Sequence, residues 1–154
     1  MDREQTDDAL LVDPLDLGNQ LCFALYAAAH AIKKAYRPLL DELGLTYPQY
    51  LILIVLWKTD ALKVSEIGAR LSLDSGTLTP VLKRLETAGL VRRTRRLTDE
   101  REVEIGLTPA GRALRSQALG VRCEIVRQSQ MTEDEIADLR GRLMTVTSTL
   151  GDIE

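Results

Sequence analysis

Residues 90–107, LVRRTRRLTDEREVEIGL, decide the fold of this chain. Val103, Ile105 and Leu107 alternate with polar residues, which is the period-two pattern of a half-buried strand. Residues 90–96 supply a second strand before it, and the charged segment 97–101 separates the two. The pattern therefore predicts a β-hairpin with a polar tip.

Two short helices precede this hairpin. Ser65 is suited to cap a helix over residues 66–71. The turn at residues 73–75 leads into a second helix over residues 76–88, which Gly89 closes. A helix-turn-helix followed directly by a hairpin is a winged helix.

A third helix is expected upstream, over residues 50–58, with Pro48 suited to the first helical position. Residues 60–63 form a short connector. The winged helix-turn-helix is accordingly assigned to residues 48–107.

Helices flank this unit on both sides. A long helix is expected over residues 15–43, stopped by Gly44, and it is apolar nearly all round between Leu21 and Ile32. Such a helix must be buried on most sides, which favours association of two subunits. Residues 15–45 are therefore assigned to dimerisation, after a flexible lead-in over residues 1–14.

The C-terminal part adds two more helices. Thr108 and Pro109 open one of them, and the capping box of Thr132 and Glu135 opens the last. The last helix carries a heptad seam, which is typical of packing along another helix: Ile136, Leu139, Leu143, Val146 and Leu150. Residues 108–150 are assigned to dimerisation, within a single domain over residues 15–150. The fold class is mainly α with a small β-hairpin.

Charge is distributed unevenly along the chain. The 154 residues carry a net charge of -3, but residues 61–101 contain nine Lys and Arg against five acids. A basic segment inside an acidic protein favours a polyanionic partner, here double-stranded DNA. A solvated charged surface is the alternative that charge alone leaves open.

Composition excludes several other classes. The chain has only two cysteines, no metal-ligand spacing and a polar, acidic N-terminus, and its longest aliphatic stretch is too short to span a bilayer. We therefore expect a cytoplasmic protein with no metal, no cofactor and no membrane contact.

The helix over residues 76–88 has the form of a DNA-recognition helix. Leu78, Leu82 and Leu85 share one face, and small or hydrogen-bonding residues occupy the other. The predicted DNA contacts on this helix and on the wing are Ser75, Gly76, Thr77, Thr79, Pro80, Lys83, Arg84, Arg95, Asp99 and Arg101. Arg101 suits a narrow minor groove, and Asp99 can brace its guanidinium. The alternatives are a routine polar helix face and a surface ion pair.

Three motifs at the wing stand together: LVRR at 90–93, TDER at 98–101 and VEIGLTPAG at 103–111. They closely resemble the wing signature of the MarR family, which are dimeric winged-helix transcription regulators. The organic hydroperoxide-sensing branch of that family (OhrR) is similar over four further segments: LCFALY at 21–26, Tyr36, GLTYPQYL at 44–51 and LDSGTLTP at 73–80.

The resemblance implies that Cys22 is the peroxide-reactive thiol and that Tyr36 and Tyr47 hydrogen-bond to it. Cys22 and Tyr36 lie fourteen residues apart on one predicted helix, which corresponds to about 21 Å. They cannot touch within a subunit, so the thiol pocket requires a dimer. Candidate apolar walls, which would favour organic hydroperoxides over hydrogen peroxide, are Phe23, Leu25, Ile32 and Trp57.

The two-cysteine type of this branch implies an intersubunit disulfide with a second, resolving cysteine. Cys123 is the candidate, although no local motif fixes its position. The resulting hypothesis is a homodimeric repressor that binds operator DNA when reduced and is released on oxidation of Cys22.

Three other functions remain open. One is a MarR regulator controlled by a phenolic or carboxylate ligand at the dimer interface, with Cys22 merely packed there, as buried cysteines usually are. A thiol peroxidase using Cys22 and Cys123 is an enzyme alternative, although nothing in the sequence supplies a general acid for turnover. The last is an architectural DNA-binding protein without a switch.

Overall fold

The computed structural model describes residues 13–151, apart from the side chains of residues 100 and 101. The predicted lead-in over residues 1–14 thus lies almost wholly outside the described residues. A short 3-10 helix, Leu17–Asn19, comes first. The main elements follow in this order: α1 (Leu21–Asp41), α2 (Tyr47–Lys58), β1 (Leu62–Lys63), α3 (Val64–Leu71), α4 (Ser75–Thr87), β2 (Val91–Arg96), β3 (Asp99–Leu107), α5 (Pro109–Ala113), α6 (Arg115–Ser129) and α7 (Glu133–Gly151).

The predicted fold class, mainly α with a small β-hairpin, is confirmed. The sheet is antiparallel and has the strand order β1-β3-β2. Its outer strand β1 occupies part of the segment that was expected to be a connector. β1 is only two residues long, with Leu62 opposite Ile105, and a pair of residues is too short to show a strand period.

The N-terminal helix is shorter than predicted at both ends. Gln20 has an extended backbone and ends the 3-10 turn, so α1 begins at Leu21 and not at residue 15. After Asp41 the chain turns through Gly44, whose φ of 68° is favourable for glycine. The predicted stop at Gly44 is confirmed.

Caps explain the other boundaries of the winged part. Thr46 and Gln49 form a reciprocal capping box, which starts α2 at Tyr47 rather than at residue 50. Ser65 as a cap was wrong: β1 runs directly into α3, so that Lys63 is the N-cap and Ser65 lies inside the helix. Glu66 instead accepts from the Lys63 backbone N–H at 2.8 Å.

The C-terminal caps are confirmed. Thr108 accepts from the Gly111 N–H, and Thr132 forms its capping box with Glu135. The helix that starts at Pro109 ends at Ala113, however, and a separate helix α6 follows. Cys123 therefore lies in the middle of the separate helix α6, and not in the helix that Thr108 and Pro109 open.

The core lies mainly in the winged part. Most of its fully buried side chains come from α2, α3, α4 and β3, for example Leu53, Ile67, Leu85 and Ile105, and α1 adds Leu40. In contrast, α6 buries only Ala118 and Val121, and within residues 133–151 helix α7 buries none. The winged part thus covers its own apolar residues, whereas the flanking helices do not.

Asp60 joins the wing to the flanking helices. Its carboxylate accepts hydrogen bonds from the backbone N–H groups of Leu107 and Ala61, both at 2.8 Å, and from the Arg112 guanidinium at 2.5 Å. Partial burial acts to raise the pKa of Asp60, but these hydrogen bonds outweigh it and leave the pKa below its ordinary value. One side chain therefore holds the end of β3 against α5.

Trp57 and Gly111 form a second connection at the same junction. The indole N–H of Trp57 donates to the Gly111 carbonyl at 2.9 Å. A Cβ added to Gly111 would lie 2.1 Å from the Leu90 carbonyl oxygen. The close approach of α5 to the start of the wing consequently requires glycine at this position.

Gly111→Ala should destabilise the fold by at least about 2 kcal/mol, because backbone atoms must move to admit the methyl group. Urea denaturation followed by circular dichroism measures this change. Gly120→Ala is the matched control: it lies in α6 with open space around it, and alanine there should stabilise by up to about 1 kcal/mol. Equal effects of the two variants would contradict the steric account.

Asp60→Asn should destabilise the protein by about 1.5–3 kcal/mol near neutral pH, as expected for lost hydrogen bonds to a charged group. Since the folded-state pKa of Asp60 lies below its ordinary value of 3.8, this contribution is complete above 3.8 and is lost as the pH falls through the folded-state value. Thermal unfolding of both proteins across acid pH measures the difference. A difference that does not shrink on acidification would show that the Asp60 charge is not responsible.

Candidate nucleic-acid interface and thiol site

Helix α4 begins at a well-capped N-terminus. The Asp74 carboxylate accepts from the Thr77 backbone N–H at 2.7 Å, and this hydrogen bond lowers the pKa of Asp74. The turn that leads from α3 into α4 is tight. A Cβ on Gly68 would lie 2.6 Å from the Leu73 carbonyl oxygen, so this approach requires glycine. Sequence reasoning did not single out Gly68, although a glycine inside a predicted helix was a visible signal.

The two faces of α4 differ as the sequence predicts. Leu78, Leu82 and Leu85 are buried in the core. On the other side the structure exposes most of the predicted DNA contacts: Ser75, Gly76, Thr77, Pro80, Lys83 and Arg84. Thr79 is half-buried and its hydroxyl donates to the Ser75 carbonyl at 2.7 Å, which leaves the oxygen as an acceptor.

The wing is a hairpin in which β2 and β3 are joined by Leu97 and Thr98. Asp99 and Arg101 lie in β3 and not in the tip, because the strand begins four residues before Val103, where its hydrophobic alternation starts. Arg95 is exposed and stands opposite Val103. The side chain of Arg101 is not among those that the structure describes.

Cys22 lies in the first turn of α1, where backbone N–H groups have no helical partner. Its surroundings were expected to be buried, but in the single chain they are exposed: Leu21 is 59%, Phe23 43% and Tyr26 70% accessible. The sulfur is exposed as well. Within residues 13–151, this end of α1 is therefore largely open to solvent.

Three tyrosines meet where α1 ends and α2 begins. The rings of Tyr36 and Tyr47 are 5.2 Å apart, and Tyr50 lies 5.6 Å from Tyr36 and 6.2 Å from Tyr47. Burial and the neighbouring Tyr50 raise the pKa of Tyr36 to about 12, and burial raises the pKa of Tyr47 too. Both phenols are protonated at neutral pH, and in the single chain the O–H of Tyr36 donates to Tyr50.

Sequence reasoning missed two members of this site, Tyr50 and Arg122. Tyr50 is buried and shares a hydrogen bond with Tyr36; its spacing of three from Tyr47 on one helix was the available signal. Arg122 comes from α6, and its two terminal guanidinium nitrogens donate to the two carboxylate oxygens of Glu133, at 2.9 and 2.8 Å. These hydrogen bonds raise the pKa of Arg122.

Two cavities adjoin Arg122. A groove of about 400 Å³ runs between α1, α6 and α7, with mainly apolar walls that include Ile32, Ile136 and Leu143. A second cavity of about 300 Å³ lies between α2 and α6 and contains Trp57. Ile32 and Trp57, both candidate pocket walls, thus lie in different cavities.

Cys22 and Cys123 are not brought together. Both are free and exposed, and they lie apart in the single chain. Within residues 13–151 there is no cluster of ligating side chains that could hold a metal ion. Nor does any helix of that range have the length and apolar character needed to cross a membrane.

Known proteins resemble this chain closely. The MarR family profile matches residues 45–103. The chain is 46% identical over 138 residues to the organic hydroperoxide resistance transcriptional regulator of Bacillus subtilis, covering 90% of this chain and 94% of that relative. It is 52% identical over 138 residues to the HTH-type transcriptional regulator TtmR of Methylorubrum extorquens, covering 90% of this chain and 71% of that one.

A solved structure gives the same result for the fold. AbfR of Staphylococcus epidermidis, reduced and bound to DNA, matches with a TM-score of 0.79 at 34% identity, covering 88% of this chain and 95% of that one. The disulfide form of AbfR matches with a TM-score of 0.64 at 35% identity, covering 84% and 91%. The present fold is therefore more similar to the reduced, DNA-bound form.

Proposed function

The chain belongs to the MarR family, and we propose that it is a homodimeric transcriptional repressor that binds operator DNA when reduced and leaves it when an organic hydroperoxide oxidises Cys22. The relative from Bacillus subtilis carries organic hydroperoxide resistance in its name. The observation that carries the proposal is the exposed Cys22 on an uncovered apolar helix, in a chain whose own paired phenols lie at the far end of that helix.

DNA binding is proposed through α4 and the wing. The exposed face of α4 presents hydroxyl groups near its N-terminus and Lys83 and Arg84 farther along, which suits base and phosphate contacts in a major groove. Arg95 is exposed on the wing, and we assign Asp99 and Arg101, at the start of β3 beside the wing tip, to the adjacent minor groove.

The dimer is proposed to bury the N-terminal half of α1. Leu21, Phe23 and Tyr26 need a cover that the single chain lacks, and the groove between α1, α6 and α7 offers apolar walls. Since α1 is one continuous helix, its Cys22 stays about 21 Å from its own Tyr36. Cys22 of one subunit would therefore receive hydrogen bonds from Tyr36 and Tyr47 of the other.

The chemistry is a two-electron oxidation of the sulfur. The Cys22 thiolate attacks one oxygen of the hydroperoxide, the O–O bond breaks, and the alkoxide leaves and takes up a proton as the alcohol. Cys22 becomes a sulfenic acid. The Cys123 thiol of the other subunit then attacks this sulfur, forms the S–S bond and releases water. We propose that closing this intersubunit disulfide moves the two subunits relative to each other and alters the spacing of the two α4 helices.

Ligand control is the second candidate, and one observation favours it. The cavity between α2 and α6 is lined by three cations, Lys58, Arg115 and Arg122, beside apolar walls, an arrangement suited to an aromatic carboxylate. Thermal stabilisation by such ligands, with operator release that persists in Cys22→Ser, would support this candidate. The relatives named above are transcriptional regulators, so a thiol peroxidase is not supported.

Cys22→Ser should remain on the operator after treatment with cumene hydroperoxide at concentrations more than about tenfold above those that release the wild type, because serine cannot form a sulfenic acid. A DNA-shift assay beside a non-reducing gel measures release and crosslinking together. Cys123→Ser is the matched control: it should still oxidise at Cys22 but form no covalent dimer. Release of Cys22→Ser at the peroxide concentrations that release the wild type would contradict the proposed sensing. If the wild type stays on the operator whether it is reduced or oxidised, an architectural DNA-binding protein would be favoured.

Tyr36→Phe and Tyr47→Phe should each slow the oxidation of Cys22 about tenfold, because each removes one hydrogen bond to the reacting sulfur. The rate is measured as loss of free thiol in the Cys123→Ser background, where Cys22 is the only cysteine. Tyr50→Phe serves as the control, since Tyr50 is 4% exposed and acts only through Tyr36. An equal or larger loss in Tyr50→Phe would contradict direct contact by the two outer phenols.

A further inference from the structure

An ion-pair network covers one face of the wing. Lys63 on β1 contacts Glu102 on β3 at 2.6 Å. Arg96 on β2 donates to a single oxygen of Glu104 through two nitrogens, at 3.1 and 2.9 Å, and lies 3.9 Å from Glu102. Two cations and two carboxylates thus alternate across all three strands.

The other face of the hairpin differs. The strand pairing is irregular between Arg95 and Arg96, and their contacts place them on different sides of β2: Arg95 stands opposite Val103, whereas Arg96 reaches Glu104. Arg95 pairs in register with Val103 and is exposed, whereas Thr94 pairs with Glu104 on the face of the network. Two neighbouring arginines of similar sequence context therefore have different electrostatic surroundings.

We propose that Glu102 and Glu104 act as specificity-determining residues of the wing, by retaining Lys63 and Arg96 in this network and away from DNA phosphates. The inference rests on the proposed DNA-binding function. In the unmodified protein, Arg95 would then make the phosphate contacts of β2, and Arg96 would make none.

Charge repulsion supports this assignment. A hairpin inserted tip-first into a groove about 6 Å wide brings each of its faces toward one sugar-phosphate wall. On the network face, a phosphate that approaches Arg96 also approaches two carboxylates. Each ion pair alone is weak in solvent, but the glutamates both neutralise the cations and repel the phosphate.

The consequence concerns specificity more than affinity. Binding to non-operator DNA consists almost entirely of phosphate contacts and counterion release. Withholding two cations per subunit lowers that background, while base contacts from α4 are unchanged. The network therefore increases the ratio of operator to non-operator binding.

Salt dependence of binding to mixed-sequence duplex DNA tests the proposal. In Glu102→Gln/Glu104→Gln, the slope of log affinity against log salt should steepen by about 2 for the dimer if Arg96 alone gains one phosphate in each subunit, and by about 4 if Lys63 gains one as well. Between about 50 and 200 mM salt, the affinity should fall at least roughly tenfold more than that of the wild type. The ratio of operator to mixed-sequence affinity should decrease.

Two arginine variants keep the test decisive even if the double variant unfolds. Arg96→Gln in the otherwise unmodified chain should leave the slope unchanged, whereas Arg95→Gln should reduce its magnitude by about 2. Asp138→Asn is the matched control for charge, because it breaks an ion pair with Arg142 on α7, outside the winged part. It should leave the slope at the wild-type value.

Three results would overturn this inference. They are equal salt slopes for the wild type and the folded double variant, a shallower slope in Arg96→Gln, and a steepening in Asp138→Asn equal to that of the double variant. A wild type that binds no duplex DNA would overturn the proposed function and this inference with it.

Discussion

Apolar side chains must be covered, and in this chain the core of the winged part is covered by the chain itself, whereas the flanking helices leave large apolar side chains exposed. Ile67, Leu85 and Ile105 are fully buried between α3, α4 and the sheet, whereas the first half of α1 remains open. Everything proposed for the thiol follows from this imbalance. A helix that was satisfied within its own subunit would hold Cys22 as an inert small hydrophobe. Because it is not satisfied, we propose that a second subunit covers it and brings its own phenols to the thiol.

The sequence predicts local features of the fold well and long-range contacts poorly. The alternation of Val103, Ile105 and Leu107 and the caps at Thr108 and Thr132 are local signals, and the structure contains each of them. β1 was missed because two residues show no period, and Ser65 was misplaced because the β1–α3 junction leaves no turn to cap.

The candidate site shows the same division. Tyr36 and Tyr47 were identified through a resemblance to a family. The spacing of Tyr50 from Tyr47 was visible in the sequence, but the contact of Tyr50 with Tyr36 and the approach of Arg122 depend on packing between α1, α2 and α6. The exposure of Cys22 was also beyond the sequence, since hydrophobicity predicts that a helix is covered and not which chain covers it. Asp60 was assigned to a connector, yet it fixes β3 to α5 by accepting hydrogen bonds from Leu107 and Arg112.

The junction of wing and flanking helices contains the only tryptophan of the chain. Trp57 is half-buried, and its indole N–H is held by the Gly111 carbonyl beside Leu90, where α5 leaves the hairpin. Any rearrangement that changes the angle between these parts must alter the polarity around that ring. The intrinsic fluorescence of Trp57 should therefore report changes at this junction without an attached dye.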